Sequence, residues 1–498
     1  MKQTTVTWAL VPTGVRCIAA ICLFTLVGCG GSSSGGPTCT ACEEGRLPQV
    51  EWRRSLVNGS RDGEGNVLTG TEIRSLVAFD GKLFASSGIW MDPDVAAADQ
   101  PGPQVFVLDR SENTGGRWRL DFELSERLDL PGQRPDGFRR YVTVSVLAAV
   151  RLETDAKGEP LDEPVSLLLA GAWDRHDATN IWVRTVRGEW TEVALIEGAQ
   201  PPVLVGPGVC ARHVRSFVAH RDAETGVDLV FAGTSGGDDV DGCPALIFSG
   251  VYDPDSPGGL RWAAEPEPWF DPPNPYDRVT SMAAVGGKLY ATVCGKVFER
   301  VDGATPGWRL AYAHPDDFCP AGPGENGFRG ATPIPCEAGD CLLLSMEGWR
   351  PNITRLELDG GIVAHQELDT DEFLATSWNT PVGYAIVAYD TAARFELPGG
   401  KWVTLLGLEA STPLVEGNWN FWHPHASYLV RSESGTYELR RISDPTIEDE
   451  PPLVSTRTML ASPFPEDAGR VIYAGGFDAN GKTADDTAWL YRGELVLD

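Results

Sequence analysis

Two segments from opposite halves of this chain align without a gap: Ile73-Arg74-Ser75-Leu76-Val77-Ala78-Phe79-Asp80-Gly81-Lys82-Leu83-Phe84-Ala85 and Val279-Thr280-Ser281-Met282-Ala283-Ala284-Val285-Gly286-Gly287-Lys288-Leu289-Tyr290-Ala291. Each is a short apolar run, a Gly-containing turn and a second apolar run, which is the pattern of a β-hairpin. Weaker copies start near Tyr141, Val214, Phe328 and Thr458, a period of about 40 to 60 residues that marks one repeat fold rather than several unrelated domains.

Each hairpin is followed by a third apolar run, as at Val105 to Leu108, Ile181 to Thr185, Ala245 to Ser249, Val297 to Val301 and Arg394 to Leu397. A Gly turn and a tryptophan then open a fourth strand, at Trp118, Trp190, Trp262, Trp308 and Trp402. Four antiparallel strands per unit make a propeller blade. Gly and Pro recur too often for many helices. The expectation is an all-β chain with a single β-propeller over residues 49–498. Eight blades are counted, with seven the alternative, because the units near Glu372 to Leu408 and Trp419 to Ile442 are the least regular. The last unit stops after Ala488-Trp489-Leu490-Tyr491-Arg492, whereas Val50 to Leu56 is a strand without a unit of its own. The N-terminal strand should therefore complete the last blade and remove its open edge.

Ser111-Glu112-Asn113-Thr114-Gly115-Gly116-Arg117-Trp118 resembles the Asp-box of sialidase-like propellers, S-x-D-x-G-x-x-W, with Asn113 at the aspartate position. In that family the box is a folding turn remote from the active site, so the resemblance implies fold rather than activity.

The N-terminus carries Lys2 and Arg16 and then the apolar run Cys17 to Gly28, too short for a permanent membrane span. It ends in Leu26-Val27-Gly28-Cys29, which resembles the lipobox of bacterial lipoproteins. The resemblance implies a leader over residues 1–28, acylation of Cys29, and an anchor whose several chains hold at about 0.8 kcal/mol per buried methylene. Residues 29–48 read as a tether opening with the flexible GGSSSGGP. Gly30, where an aspartate would retain a lipoprotein at the inner membrane, favours the outer membrane.

Loss of the leader takes the net charge from −29 to −31, which repels nucleic acid and anionic lipid. Beyond the leader and Cys29, eight cysteines remain in a compartment that permits disulfides. Sequence proximity suggests Cys39 with Cys42, Cys210 with Cys243, Cys294 with Cys319 and Cys336 with Cys341, although connectivity does not follow from sequence alone.

Several motifs invite chemistry. Gly476 to Thr483 spells the phosphate-loop pattern, but a strand follows within a few residues and no βαβ unit fits in the chain that remains. Gly31-Ser32-Ser33-Ser34-Gly35 spells G-x-S-x-G inside the tether, where no nucleophile elbow forms. His423 and His425 alternate along an extended segment, so both imidazoles share one face and are candidates to hold a metal. Acidic clusters recur after the second strand of several units: Asp92 and Asp94, Asp174 and Asp177, Asp238, Asp239 and Asp241, then Asp478. The connections between units carry Trp269 and Tyr276 in one case, Trp419 and Trp422 in another. Aromatic plates beside carboxylates suit sugar rings, or calcium held by oxygen ligands.

Two functions follow: a membrane-anchored propeller that binds a glycan, peptide or protein, or a glycoside hydrolase or lyase on the same ring. Sialidase chemistry would need three converging arginines and a Tyr/Glu pair. A clustered Arg–Tyr–Glu set at the channel mouth favours the enzyme; scattered aromatics and carboxylates favour binding.

Overall fold

A computed structural model describes residues 39–89, 101–128, 138–174, 180–194, 213–235, 245–271, 273, 278–315, 327–337, 339–389, 392–413, 422–448, 450, 453–478 and 487–497. Cys29 and the leader lie outside these residues. The chain is nearly all β, in antiparallel sheets whose strands follow sequence order.

The first hairpin, Glu72–Phe79 with Lys82–Gly88, continues into Gln104–Leu108 and Arg119–Glu123. The same four-strand order recurs over Tyr141–Ala194, Val214–Trp262, Val279–Ala313 and Gly327–Asp369. Consecutive residues on these strands pack in opposite directions. Leu83 and Ala85 join Tyr473 and Leu490 in one core cluster, while Phe84 joins Leu168 and Trp182 in another. Leu342 and Leu343 are divided in the same way. A sheet buried on both faces needs no polar alternation, which is why the strands read as near-continuous apolar runs.

The first strands of successive units lie side by side, and that of the last, Ser455–Ala461, returns to that of the first. Side-chain to backbone hydrogen bonds stitch these neighbours: Leu147 N donates to Ser75 Oγ, Ala331 N to Ser281 Oγ, and Leu76 N to Thr458 Oγ1. The terminal sheet is Ser455–Ala461, Val471–Phe477, Ala488–Leu495 and then Val50–Leu56. Val50 pairs with Leu495 and Arg54 with Tyr491, so the N-terminal strand occupies the outer place that the sequence left vacant.

Two expectations change. Trp402–Ala410 pairs directly with Ser427–Ser432, so the irregular sixth and seventh units share one sheet. Arg394 to Leu397 and Trp402, read as third and fourth strands, begin this sheet instead. Its opening strand is split into Ala385–Val387 and Ala393–Glu396, both paired to Trp402–Ala410. Ahead of it stands a helix, Thr370–Trp378, whose first turn Asp369 caps by accepting from Glu372 N, and which ends at Asn379 with φ 51°.

The second change concerns the tether, whose later part is docked. Cys39 and Cys42 are joined, and with Leu47 they are buried against Phe395, Val403 and Leu495. Three apolar groups in a short polar segment were the signal that it would not stay solvated.

The Asp-box-like segment forms a tight turn. Ser111 Oγ accepts from Asn113 N at 3.1 Å, Gly115 has φ 82°, and Gly116 lies where a Cβ would meet the Arg110 carbonyl. Trp118 is buried edge-on against Tyr473.

Candidate functional site

The opening strands of six units carry a β-bulge, and the residue skipped by the pairing occupies the same register position each time. It is Arg74 between Ile73 and Ser75, Ser145 between Val144 and Val146, and Arg215 between Val214 and Ser216. It is Thr280 between Val279 and Ser281, Arg329 between Phe328 and Gly330, and Arg457 between Thr456 and Thr458. A bulge re-aims the extra side chain out of the ladder's alternation. In the split sheet, Tyr389 follows the short strand Ala385–Val387.

These residues converge. The guanidinium carbons of Arg329, Arg457 and Arg74 lie 3.8, 4.1 and 4.2 Å from the centroid of the Tyr389 ring. Arg74 and Arg457 stand 3.4 and 3.7 Å from the buried carboxylate of Glu72. Arg457 also pairs with Glu409 at 3.1 Å, and Arg329 with Glu347 at 3.3 Å. Neither oxygen of Glu72 receives a hydrogen bond among the described residues, nor do Nε and Nη1 of Arg457 find an acceptor in hydrogen-bond geometry.

A cavity of about 290 Å³ opens on this cluster, lined by Glu72, Arg74, Thr143, Trp173, His213, Arg215, Arg278 and Tyr389. Arg74, Arg215 and Tyr389 also line a second cavity of about 350 Å³ along the inner strands, so they divide the two spaces. His213 stacks on Trp173 and meets Ser145 Oγ at 2.7 Å. Burial opposes ionisation of Tyr389, but Arg329, Arg74, Arg457 and Arg215 outweigh it and hold the phenol below its ordinary pKa. Glu409 moves the other way: burial raises its pKa, against Arg457, a hydrogen bond from Ser455 and Arg329. Five arginines against Glu72, Glu347 and Glu409 leave the site cationic inside a chain of net charge −29.

The sites expected from sequence are distributed differently. Asp92, Asp94, Asp177, Asp238, Asp239, Asp241, Tyr276 and Trp419 lie outside the described residues. Asp174 is buried and accepts from Arg140 Nε and Nη2 at 3.0 and 2.9 Å. Asp478 is buried at the end of its strand, with its N–H on Thr487 O. Trp269 donates its indole N–H to Ala245 O and packs on Phe298, which makes it a plate between strands. Trp422 is half-buried beside Tyr384.

His423 and His425 are adjacent, with ring centroids 6.1 Å apart. Burial, then His425 and Arg441, depress the His423 pKa to about 4, so it is neutral as a ligand must be. Its ring stacks on Trp378 at 3.8 Å. Among the described residues no group of three or more His, Cys, Asp or Glu is arranged to hold a metal. Cys336 is joined to Cys341. Cys294 is disulfide-bonded, while Cys319, Cys210 and Cys243 lie outside the described residues.

The sequence reading missed the arginine ring. Its signal was present as Ile73-Arg74-Ser75, Val214-Arg215-Ser216, Phe328-Arg329-Gly330 and Thr456-Arg457-Thr458, the same residue type at the head of four repeats.

No family model matches the chain, and no curated protein does. Among solved structures, Trypanosoma rangeli sialidase in complex with 2,3-difluorosialic acid is similar at 13% identity and TM-score 0.38, over 89% of this chain and 57% of that one. Aleuria aurantia lectin in complex with α-methyl-L-fucoside is similar at 11% identity and TM-score 0.38, over 76% and 97%. A protein of unknown function from Dyadobacter fermentans matches at 10% identity and TM-score 0.37, over 90% and 100%. Likenesses this distant carry no assignment.

Proposed function

We propose that the four-stranded units form one seven-bladed propeller, and that the pocket at the head of its axis binds a carboxylate-bearing sugar. The observation that carries this reading is that Arg74 and Arg215, each from the bulge of a different strand, line one partly apolar cavity with Arg278, while Arg329 and Arg457, from two further bulges, stack on the Tyr389 ring that lines it. Guanidinium forks match carboxylates bidentately, and such pairs strengthen where water is excluded. Trp173, which lines the cavity, supplies flat apolar surface for a sugar's C–H face. A chain this acidic repels anions at long range, so selection has to come from contacts inside the pocket.

A second reading, glycoside hydrolysis, is favoured by Tyr389 itself. A phenol with a lowered pKa is a competent nucleophile at an anomeric carbon, as in the tyrosine-using exception to the two-carboxylate scheme. Glu72 lines the same cavity and would take the phenol's proton as the Tyr389 oxygen bonds to the anomeric carbon, while the glycosidic bond breaks and the departing oxygen takes a proton from water. Arg–Tyr–Glu clustering of this kind favours an enzyme on such a ring. We further propose that Cys29 anchors the protein to a membrane of the cell envelope, on the strength of the lipobox.

The test is calorimetric titration with N-acetylneuraminic, glucuronic and galacturonic acids against glucose and galactose, with aryl glycosides of the acids as substrates. Binding of an acid and not of the neutral sugars is expected. Equal affinity for neutral and acidic sugars would overturn the carboxylate reading. Binding without turnover would leave a lectin.

A further inference from the structure

The wall of the 290 Å³ cavity is a row of cross-strand partners. Glu72 pairs with Gly88, Gly88 with Thr143 of the next unit, and Thr143 with Trp173, which is bridged to His213. The row continues through Ser235, whose N–H donates to His213 O at 2.8 Å, to Arg278. Glu72, Thr143, Trp173, His213 and Arg278 all line the cavity. Gly88 adds no side chain to that wall. A methyl group there would lie 2.6 Å from Thr143 Oγ1 and 3.0 Å from Glu72 Oε1, so the two oxygens flank one point.

Both side chains are buried, Glu72 at 0% and Thr143 at 2% exposure. Neither carboxylate oxygen of Glu72 nor Thr143 Oγ1 has a hydrogen-bond partner among the described residues. Arg74 and Arg457, at 3.4 and 3.7 Å from Glu72, balance its charge without meeting hydrogen-bond geometry. A buried polar group left in this state costs about 1–3 kcal/mol, and more if charged, so a pair of them at one cavity wall calls for an explanation.

The chemistry of the pair selects among ligand groups. A carboxylate only accepts, whereas a threonine hydroxyl has a proton to place as well as lone pairs to fill. A cation is disfavoured, because Arg74 and Arg457 already stand beside Glu72. An amide N–H donates and accepts nothing, which leaves the Thr143 proton unplaced. A hydroxyl does both, donating to Glu72 and accepting from Thr143. A ligand carboxylate is repelled by Glu72 and turns to Arg215 and Arg278, on the far side of Trp173 from Thr143.

We propose that Glu72 and Thr143 together read one ring hydroxyl of the bound sugar acid and so determine which acid the pocket accepts. The inference rests on the acidic-sugar binding reading of the cavity. The ligand is then held at two points: its carboxylate by guanidinium groups, and one hydroxyl by a buried acceptor and a buried donor. A simple carboxylate without that hydroxyl leaves Glu72 and Thr143 as they are, and gains nothing from them.

The experiment is titration calorimetry on the wild-type chain, Thr143→Val and Glu72→Gln. It compares whichever of N-acetylneuraminic, glucuronic and galacturonic acids binds with its own monodeoxy derivatives. One derivative should bind about 10- to 100-fold more weakly than its parent, as for a hydrogen bond to a buried charge, and the others about equally well. Thr143→Val keeps the shape of the side chain; it should weaken the parent about three- to tenfold and leave that one derivative's Kd unchanged. Glu72→Gln should reduce the penalty for the same derivative to about three- to tenfold. An unchanged Tm for Thr143→Val excludes unfolding as the cause. If every monodeoxy derivative binds like its parent, or if either variant leaves the penalty at its wild-type size, the hydroxyl site is overturned and the pocket stands. If none of the acids binds, the pocket falls and the hydroxyl site with it.

Discussion

Removing Trp52 should show how much the N-terminal strand contributes to closing the terminal sheet. Its ring is 3% exposed and lies edge-on to Tyr428 at 5.9 Å. It also covers Gly493, where an added Cβ would come within 2.8 Å of it. Trp52 thus fills a space between two sheets, and Trp52→Ala leaves a cavity costing about 3–5 kcal/mol. With an unfolding entropy of about 2.1 cal/mol/K per residue, a fold of this length loses roughly 1 kcal/mol of stability per degree near its midpoint, so Tm should drop by about 3–5 °C. A chain beginning at Gly59 loses more. Leu56, also buried, goes with the strand, and Ala488–Leu495 is left with an unpaired edge. The combined loss, roughly 5–10 kcal/mol, is comparable to the whole stability of a typical domain. Near-UV circular dichroism and size exclusion on chains beginning at Leu47 and at Gly59 would measure it, both lacking lipid. Coincident melting curves and equal solubility would refute the closure argument.

Charge gives the other expectations. Burial pushes Glu112 up to about 7, against a hydrogen bond from Ser55 and the charge of Arg492 and with that of Asp467. A carboxyl raised on folding stabilises fully below its unfolded value near 4.5, and that contribution is lost as pH rises through about 7. Tm should therefore fall between about pH 4.5 and 7 and this fall should level off above that, and Glu112→Gln should flatten it; an unchanged slope would remove Glu112 as its source. Arg215→Ala should weaken binding of an acidic sugar by about 10- to 100-fold, the worth of a charged hydrogen bond, with no effect on neutral sugars by titration calorimetry. Cys29→Ser should move the protein out of the membrane fraction, and retention of the variant there would count against lipidation.

The repeat and its closure were legible in the sequence because both depend on local apolar runs: a gapless hairpin match, and an orphan strand at one end facing an unfinished unit at the other. The sheet opening at Ala385 was not. Its first strand comes in two pieces of three and four residues behind a helix, and fragments that short carry too little alternation to register. The candidate site was hidden for a different reason. Arg74, Arg215, Arg329 and Arg457 each look like one polar residue at the start of a strand, and only the bulge and the return of the last unit to the first bring them within reach of Tyr389. Asp174 misled in the opposite sense, since its position after a strand promised exposure that the ion pair with Arg140 removes.

The bulged position has a consequence for how such a chain can change over generations. A residue skipped by the ladder has no cross-strand partner to match, so its replacement leaves register and backbone pairing untouched. Arginine, serine and threonine already occupy this position in different units of one molecule. The bulged positions can thus change without disturbing the ladders, although Arg74 and Arg457 stay coupled through Glu72 and Tyr389. Side chains at the heads of these strands can therefore vary while the sheets that carry them keep their pairing.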